Sequence, residues 1–309
     1  MDSGISSTSF HSSLLVSSLK VIRPHQWLKN LLIFVPLMAS HKFSSHAFFQ
    51  AAEAFCSFCL CASTVYVIND LVDINSDRIH PRKRYRPFAS GALKPSFGWM
   101  FAPALLAASF ALAVSVSTLF LVVLTLYFAT TCLYSFRLKQ QVIVDVLLLA
   151  ILYTFRVLAG AGATMIVPSF WLLAFCMFLF LCLALVKRYS EMIVVQQQNR
   201  SQVAGRGYFT SDSPVILSLG AASAYNAVLV MALYINSPDL EGMYQNRVAL
   251  WLVLPPFLYW VSRIWLKAHR GEVHDDPLLF AATDKQSWVI GAAIGAAFYL
   301  ASISVRLPL

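Results

Sequence analysis

The sequence predicts an all-α, polytopic membrane protein with nine transmembrane helices, and three observations predict it. Of 309 residues, 59% are hydrophobic and only 12% are charged, about half the ~25% charge of a soluble domain. Apolar stretches approaching the ~20 residues needed to cross the hydrocarbon recur along the chain. When nine spans are drawn, 19 of the 23 Lys and Arg fall on one side, the bias that marks the cytoplasmic face.

The elements follow in order. Residues 1–19 form a polar lead-in without the basic start and long apolar core of a cleaved signal, and residues 20–309 read as a single transmembrane domain. Spans are expected near 28–41 (short), 47–70, 97–114, 117–135, 142–165, 169–187, 214–235, 248–266 and 287–305. Tight turns at 115–118 and 167–168 predict antiparallel hairpins. The basic side receives the N-terminal segment and the loops after spans two, four, six and eight. The other side has Lys42, Arg247 and Arg306, while Arg156 lies inside span five. This places the N-terminus and those loops in the cytoplasm and the C-terminus opposite, in the cytoplasmic (inner) membrane. The net charge of +9 is then an orientation signal, with no call for nucleic acid. The six cysteines all lie in apolar segments and read as small hydrophobes packed between helices; Cys56 and Cys59 have the spacing of half a zinc site, but no second pair completes it. Two charges remain inside the spans. Glu53 and Arg156 lie ~9 and ~12 Å from the outer ends of their helices at 1.5 Å per residue, so an ion pair between them is expected; separate polar partners would serve equally.

The stretch YVINDLVDINSDRIHPRKRYRP, residues 66–87, ends an apolar run with acids and follows them with bases. At 100° per residue, Asn69, Asp70, Asp73 and Asp77 share an arc of roughly 100° if one helix runs through them. Oxygen ligands at this density suit Mg2+, which is usually shared with substrate phosphates. Arg82, Lys83, Arg84 and Arg86 can take phosphate oxygens that the metal leaves uncovered. An ordinary basic loop at a helix end would explain the bases but not the acids.

Asn69-Asp70-x-x-Asp73-x-x-x-Asp77, followed by Arg78 and Arg86-Pro87-x-x-Ser90-Gly91, resembles the first signature of the UbiA superfamily of intramembrane prenyltransferases. The resemblance implies a UbiA-like bundle over nearly the whole chain. Most members carry a second acidic DxxxD on a later helix, whereas the equivalent place here reads Leu185-Val186-Lys187-Arg188-Tyr189-Ser190-Glu191. Replacing one carboxylate by an ammonium should shift the local charge by about two units and favour direct contact with phosphate over a second metal. The same spacing of Lys187 and Glu191 also fits a surface i, i+4 ion pair. This version of the motif, with Arg23-Pro24-x-Gln26-Trp27-x-Lys29-Asn30, is similar to the decaprenyl-phosphate phosphoribosyltransferase branch of cell-wall arabinan synthesis. The segment from Asp276 through Asp284-Lys285 to Ser287 also looks like that branch, or is a solvated turn.

What the resemblance implies is transfer of 5-phosphoribose from phosphoribosyl pyrophosphate (PRPP) to a polyprenyl phosphate at the bilayer. In that reading Asp73 and Asp77, assisted by Asp70 and Asn69, hold Mg2+ on the pyrophosphate. Lys187, Arg188 and Tyr189 meet the donor, Glu191 orients them or the ribose hydroxyls, and Lys29 and Asn30 are further donor contacts. A prenyl diphosphate donor with an aromatic or other acceptor is the nearest alternative. A transporter or lipid-binding protein is the second, and it would place its charges nearer the midplane. The topology is open to direct test. With Ser90→Cys and Ser201→Cys, an impermeant thiol reagent should not react in intact cells, while Ser44→Cys should be labelled; outside labelling at position 90 would overturn the nine-span arrangement.

Overall fold

A computed structural model of the chain describes residues 16–41, 43–79, 83–203, 205–273 and 276–303. The first fifteen residues, Lys42, Arg82 and Arg306 lie outside the described residues. Among those described, regular structure is helical apart from one isolated β-bridge between Gln202 and Phe209. A 3-10 segment, Pro24–Phe34, leads into α1 (Val35–Ala39), followed by α2 (Ser45–Val72), α3 (Ile74–Ile79), α4 (Pro95–Val116) and α5 (Thr118–Phe136). Then come α6 (Val144–Thr164), α7 (Phe170–Gln197), α8 (Ser213–Ile235), a 3-10 segment Arg247–Val253 continuing into α9 (Leu254–His269), α10 (Pro277–Thr283) and α11 (Lys285–Ser302).

Seven of these stretches are long and apolar enough to cross a membrane: Ser45–Val72, Pro95–Val116, Thr118–Phe136, Val144–Thr164, Phe170–Gln197, Thr210–Ile235 and Arg247–His269. The expected count of nine is not reached among the described residues. The first expected span is only eleven residues of 3-10 helix and five of α-helix, and α11 opens on Lys285-Gln286-Ser287, which leaves its apolar part short. Helices α2 and α7 err in the other direction. Each has 28 residues and is about 42 Å long at 1.5 Å per residue, against ~30 Å of hydrocarbon. The surplus carries Asn69 and Asp70 on one helix, and the turns from Lys187 onward on the other, to the edge of the apolar layer.

The helices form two compact units, Met1–Ser135 with Phe155–Val167, and Phe136–Thr154 with Pro168–Leu309. In the first, α2 and α4 meet through small residues. Ser57 Oγ donates to the Ser109 carbonyl at 2.8 Å and Ser109 Oγ returns a bond to the Ser57 carbonyl at 2.7 Å, so two buried hydroxyls need no water. Val67, Leu71, Phe88, Leu93 and Ala102 pack below them. The expected turn between α4 and α5 is the single extended residue Ser117, whose hydroxyl accepts from Phe120 N and donates to the Gly162 carbonyl. Gly160 is required by a close approach, because a Cβ there would stand 1.8 Å from the Ile33 carbonyl oxygen. In the second unit, Gly220 makes the same allowance for the Trp265 ring, 2.0 Å from an added Cβ.

The Glu53–Arg156 pair does not form. Arg156 is buried in the first unit, where Nε donates to Asn30 Oδ1 at 2.9 Å and Nη2 to the Tyr127 hydroxyl at 3.3 Å. Its guanidinium also lies over the Phe58 and Tyr127 rings. Asn30 completes its own bonding by donating to Cys59 Sγ at 3.1 Å. Glu53 is exposed, on the face of α2 opposite buried Ala51 and Ala54, and Cys56 is likewise exposed rather than packed. Equal depth in two helices does not give equal azimuth. Glu53→Gln should therefore change stability by less than ~0.5 kcal/mol. Arg156→Gln and Asn30→Ala should each cost about 1.5–3 kcal/mol, and their double mutant less than the sum. Melting curves in detergent check this; additive losses for Arg156 and Asn30 would break the coupling.

Candidate active-site clusters

The acids of the first unit do not ride on one continuous helix. The chain leaves α2 at Asp73, where φ is −90° and ψ is 6°, and restarts as α3 at Ile74, bearing Asp77. An arginine brings the separated acids together. Arg86 Nη1 lies 3.1 Å from Asp70 Oδ1 and 2.7 Å from Asp77 Oδ2. Arg23 Nη2 adds a contact of 2.5 Å to Asp70 Oδ1 and stacks over the Tyr66 ring. Asp70 and Asp77 are both 2% exposed, so these guanidiniums supply the counter-charge that burial demands.

Asp73 is different. It is half-exposed, and its carboxylate makes no hydrogen bond or ion pair among the described residues, while its carbonyl accepts from Asp77 N and Ser76 Oγ. Asn69, also half-buried, donates to Ser135 Oγ at 3.3 Å. Lys83 and Arg84 are exposed on a short 3-10 turn, with Arg84 held by the Tyr85 hydroxyl, and Arg78 Nε reaches the Ala89 carbonyl. Lys29 is buried, and Asn30 is committed to Arg156 and Cys59. Among the described residues no three His, Cys, Asp or Glu side chains form a metal cage. The donor set nevertheless fits Mg2+ in kind: all oxygen, with Asp73 open. Mg2+ commonly takes one or two carboxylates and completes its shell with substrate phosphates and water.

In the second unit, neighbours on α7 part company. Lys187, with its side chain 28% exposed, places Nζ 3.4 Å from Asp276 Oδ2. Asp276 also accepts the Tyr153 hydroxyl at 2.9 and 2.8 Å and caps α10 through Leu278 N. Arg188 is fully buried, not presented outward as expected. Its Nη2 forms an ion pair with Asp145 Oδ2 at 2.5 Å without hydrogen-bond geometry, its Nη1 pairs with Glu191, and its Nε has no hydrogen-bond partner among the described residues. Tyr189 bonds His269 Nδ1 at 2.8 Å and packs edge-on to Trp265. Glu191 is half-exposed and also lies 3.6 Å from Arg206 Nε. Among the described residues, Asp145, Asp276 and Glu191 balance Lys187, Arg188 and Arg206 in this cluster.

Sequence reasoning missed Asp145, Arg206, Tyr208 and the tie from Arg23 to Asp70. An acid at the mouth of an apolar run was the available signal for Asp145. The segment 276–287 is no loose turn: Asp276 and Asp284 both cap helices. Asp284 accepts two bonds from Arg263, at 2.7 and 2.9 Å, and others from Ser287 N and Oγ.

A family model described as the UbiA prenyltransferase family matches residues 30–290. The chain belongs to the UbiA prenyltransferase family. The resemblance read from the first acidic motif is thus borne out, and with it an integral membrane protein of transferase fold. This UbiA chain is 38% identical, over 92% of its length, to the uncharacterized protein y4nM of Sinorhizobium fredii, but spans only 55% of that protein. It is 33% identical to the nodulation protein NoeC of Azorhizobium caulinodans, over 90% of this chain and 91% of that one. It is 35% identical to a decaprenyl-phosphate phosphoribosyltransferase of Mycolicibacterium smegmatis over 59% of each chain. A solved UbiA homolog from Archaeoglobus fulgidus, bound to GPP and Mg2+, aligns with a TM-score of 0.68, covering 93% of this chain and 100% of that one. At 17% identity that likeness shows the fold alone.

One expectation concerns pH. The hydrogen bonds from Arg263, then those from Ser287, hold the Asp284 carboxyl well below the usual carboxylate range. A depressed folded pKa gives stability that is fully present above the unfolded value, ~3.9, and is lost as pH falls below it. Asp284→Asn should therefore lower the melting temperature at pH 7, and the gap from the parent protein should close as pH drops below about 4. A gap unchanged down to pH 3 would show that the carboxylate charge does not contribute.

Proposed function

We propose that this chain transfers 5-phosphoribose from PRPP to a polyprenyl phosphate of the decaprenyl type. The bond from ribose C1 to pyrophosphate breaks, a bond from C1 to the lipid phosphate oxygen forms, and pyrophosphate leaves. The lipid phosphate is already anionic at neutral pH, so no strong general base is required. The observation that carries the reading is Lys187, half-exposed and held by Asp276, at the place where family members with two acidic motifs present a carboxylate. Identity to a decaprenyl-phosphate phosphoribosyltransferase over part of the chain supports it.

In the first unit, Asp73 with Asp77, assisted by Asp70 and Asn69, would hold Mg2+ brought by a diphosphate. The ion supplies charge neutralisation for the leaving pyrophosphate. Arg86 pairs with both Asp70 and Asp77 and orients them, and Lys83, Arg84 and Arg82 offer further phosphate contacts. In the second unit, Lys187 offers an ammonium to a phosphate oxygen and Glu191 a carboxylate to a ribose hydroxyl. Buried Arg188 and Tyr189 act through their neighbours rather than on the donor. The basic loops that carry these groups are assigned to the cytoplasm, with the C-terminus opposite. The alternative donor is a prenyl diphosphate, against which the lysine at position 187 argues.

Purified protein given labelled PRPP and decaprenyl phosphate should form a labelled lipid, and EDTA should abolish it. Asp73→Asn should lower turnover at least ~100-fold, and Lys187→Ala should raise the KM for PRPP roughly tenfold, about 1.4 kcal/mol, with an unchanged melting temperature. Prenyl transfer from a prenyl diphosphate, with PRPP ignored, would overturn the donor assignment.

A further inference from the structure

The second unit holds an acid that lies outside both motifs. Asp145, in the first turn of α6, is fully buried. Its carboxylate meets Arg188 Nη2 at 2.5 Å, the Tyr208 hydroxyl at 2.6 Å and Arg206 Nη1 at 3.4 Å. Tyr208 is itself fully buried, and its hydroxyl oxygen accepts Ile143 N at 2.8 Å. Ile143 has φ of 67°, a left-handed conformation that a β-branched residue rarely adopts, so the backbone just before Asp145 is held under strain.

Tyr208 and Arg206 belong to a short hairpin closed by Val203 N to the Tyr208 carbonyl at 3.1 Å and Thr210 N to the Ser201 carbonyl at 2.9 Å. Gly207 lets the hairpin lie against the chain before α6, since a Cβ there would stand 2.5 Å from the Gln140 carbonyl oxygen. Arg206 also reaches the Lys139 carbonyl and Glu191. One buried carboxylate therefore ties together the start of α6, the buried arginine of α7 and a hairpin some sixty residues further along the chain.

We infer that Asp145 is the positioning residue of the 187–191 cluster. It satisfies the buried charge of Arg188, so that Glu191 is shared rather than consumed by the two arginines, and it clamps the 201–210 hairpin beside Glu191. Without Asp145, Arg188 loses one of its two carboxylates and pulls harder on Glu191, which is drawn inward, away from any ligand. This rests on the reading that Lys187 and Glu191 meet the diphosphate donor.

Two readouts on the full chain in detergent test it. The first is trypsin cleavage after Arg206, which needs no substrate. The variants are Asp145→Asn and Tyr208→Phe; the latter keeps the ring over Arg188 and removes only the hydroxyl. Both should be cut at Arg206 about tenfold faster than the parent protein. The second readout is kinetic: Asp145→Asn should raise the donor KM about tenfold with kcat within about threefold, and Asp145→Glu should restore part of it. Should Asp145→Asn not fold, Tyr208→Phe carries both readouts. Cleavage at the parental rate overturns the clamp. A fall in kcat with KM unmoved overturns positioning, because loss of folded protein alone gives that pattern. If the parent protein uses neither PRPP nor a prenyl diphosphate, the functional reading fails, and the cleavage rates still decide the clamp.

Discussion

Charge that leaves water inside a helical bundle must take its counter-charge with it. An unpaired buried ion costs several kcal/mol, and breaking a buried pair costs about 3–5 kcal/mol. That constraint organises both units. In the first, Arg23 and Arg86 bracket Asp70 and Asp77; in the second, Asp145 and Glu191 bracket Arg188. Deeper in the apolar layer, Arg156 is met by an amide oxygen, a hydroxyl and two aromatic faces. Apart from Arg188 and Glu191, which share α7, the paired charges come from different segments of the chain, so each such pair also fixes the packing of the segments that carry it.

Helix length decides where such pairs can stand. Two helices of 28 residues overrun the hydrocarbon by about two turns, and each carries a motif in its surplus. Of the charged side chains there, Lys187 and Glu191 stay part-exposed, while Asp70 and Arg188 are buried against their counter-charges. The break at Asp73 uses the same surplus. It turns the backbone so that Asp77 returns beside Asp70 under one guanidinium, and Asp73 is left at the corner with its carboxylate uncommitted among the described residues.

Much of this was legible in the residues themselves. The apolar runs and their spacing anticipate the long helices, and acids followed by bases mark the first cluster. Azimuth was not legible, and Glu53 shows why: depth follows from counting residues, but the face of a helix that meets the core depends on the whole bundle. Nor was the charge balance of the second cluster legible. Lys187 and Arg188 read as two cations facing the donor because their partners, Asp276 and Asp145, lie far away in sequence. The close approach of Ile33, in the 3-10 segment Pro24–Phe34, to Gly160 likewise joins residues far apart in sequence.

Adjacent Lys187 and Arg188 divide a task that the motif alone would assign to both. A guanidinium presents several donors in a fixed plane and suits a buried site where two carboxylates converge. Arg188 occupies such a site and is fully buried, so moving it toward a ligand would break its pairs with both Asp145 and Glu191. An ammonium on a flexible stem is a mobile point charge, and Lys187 keeps its side chain 28% exposed at 3.4 Å from Asp276. That carboxylate is also held by Tyr153 and by the first turn of α10, so it stays satisfied if the lysine swings toward an anionic oxygen. The part-exposed cation is the one proposed to meet a ligand, and the buried cation, paired with two carboxylates, ties α7 to the start of α6.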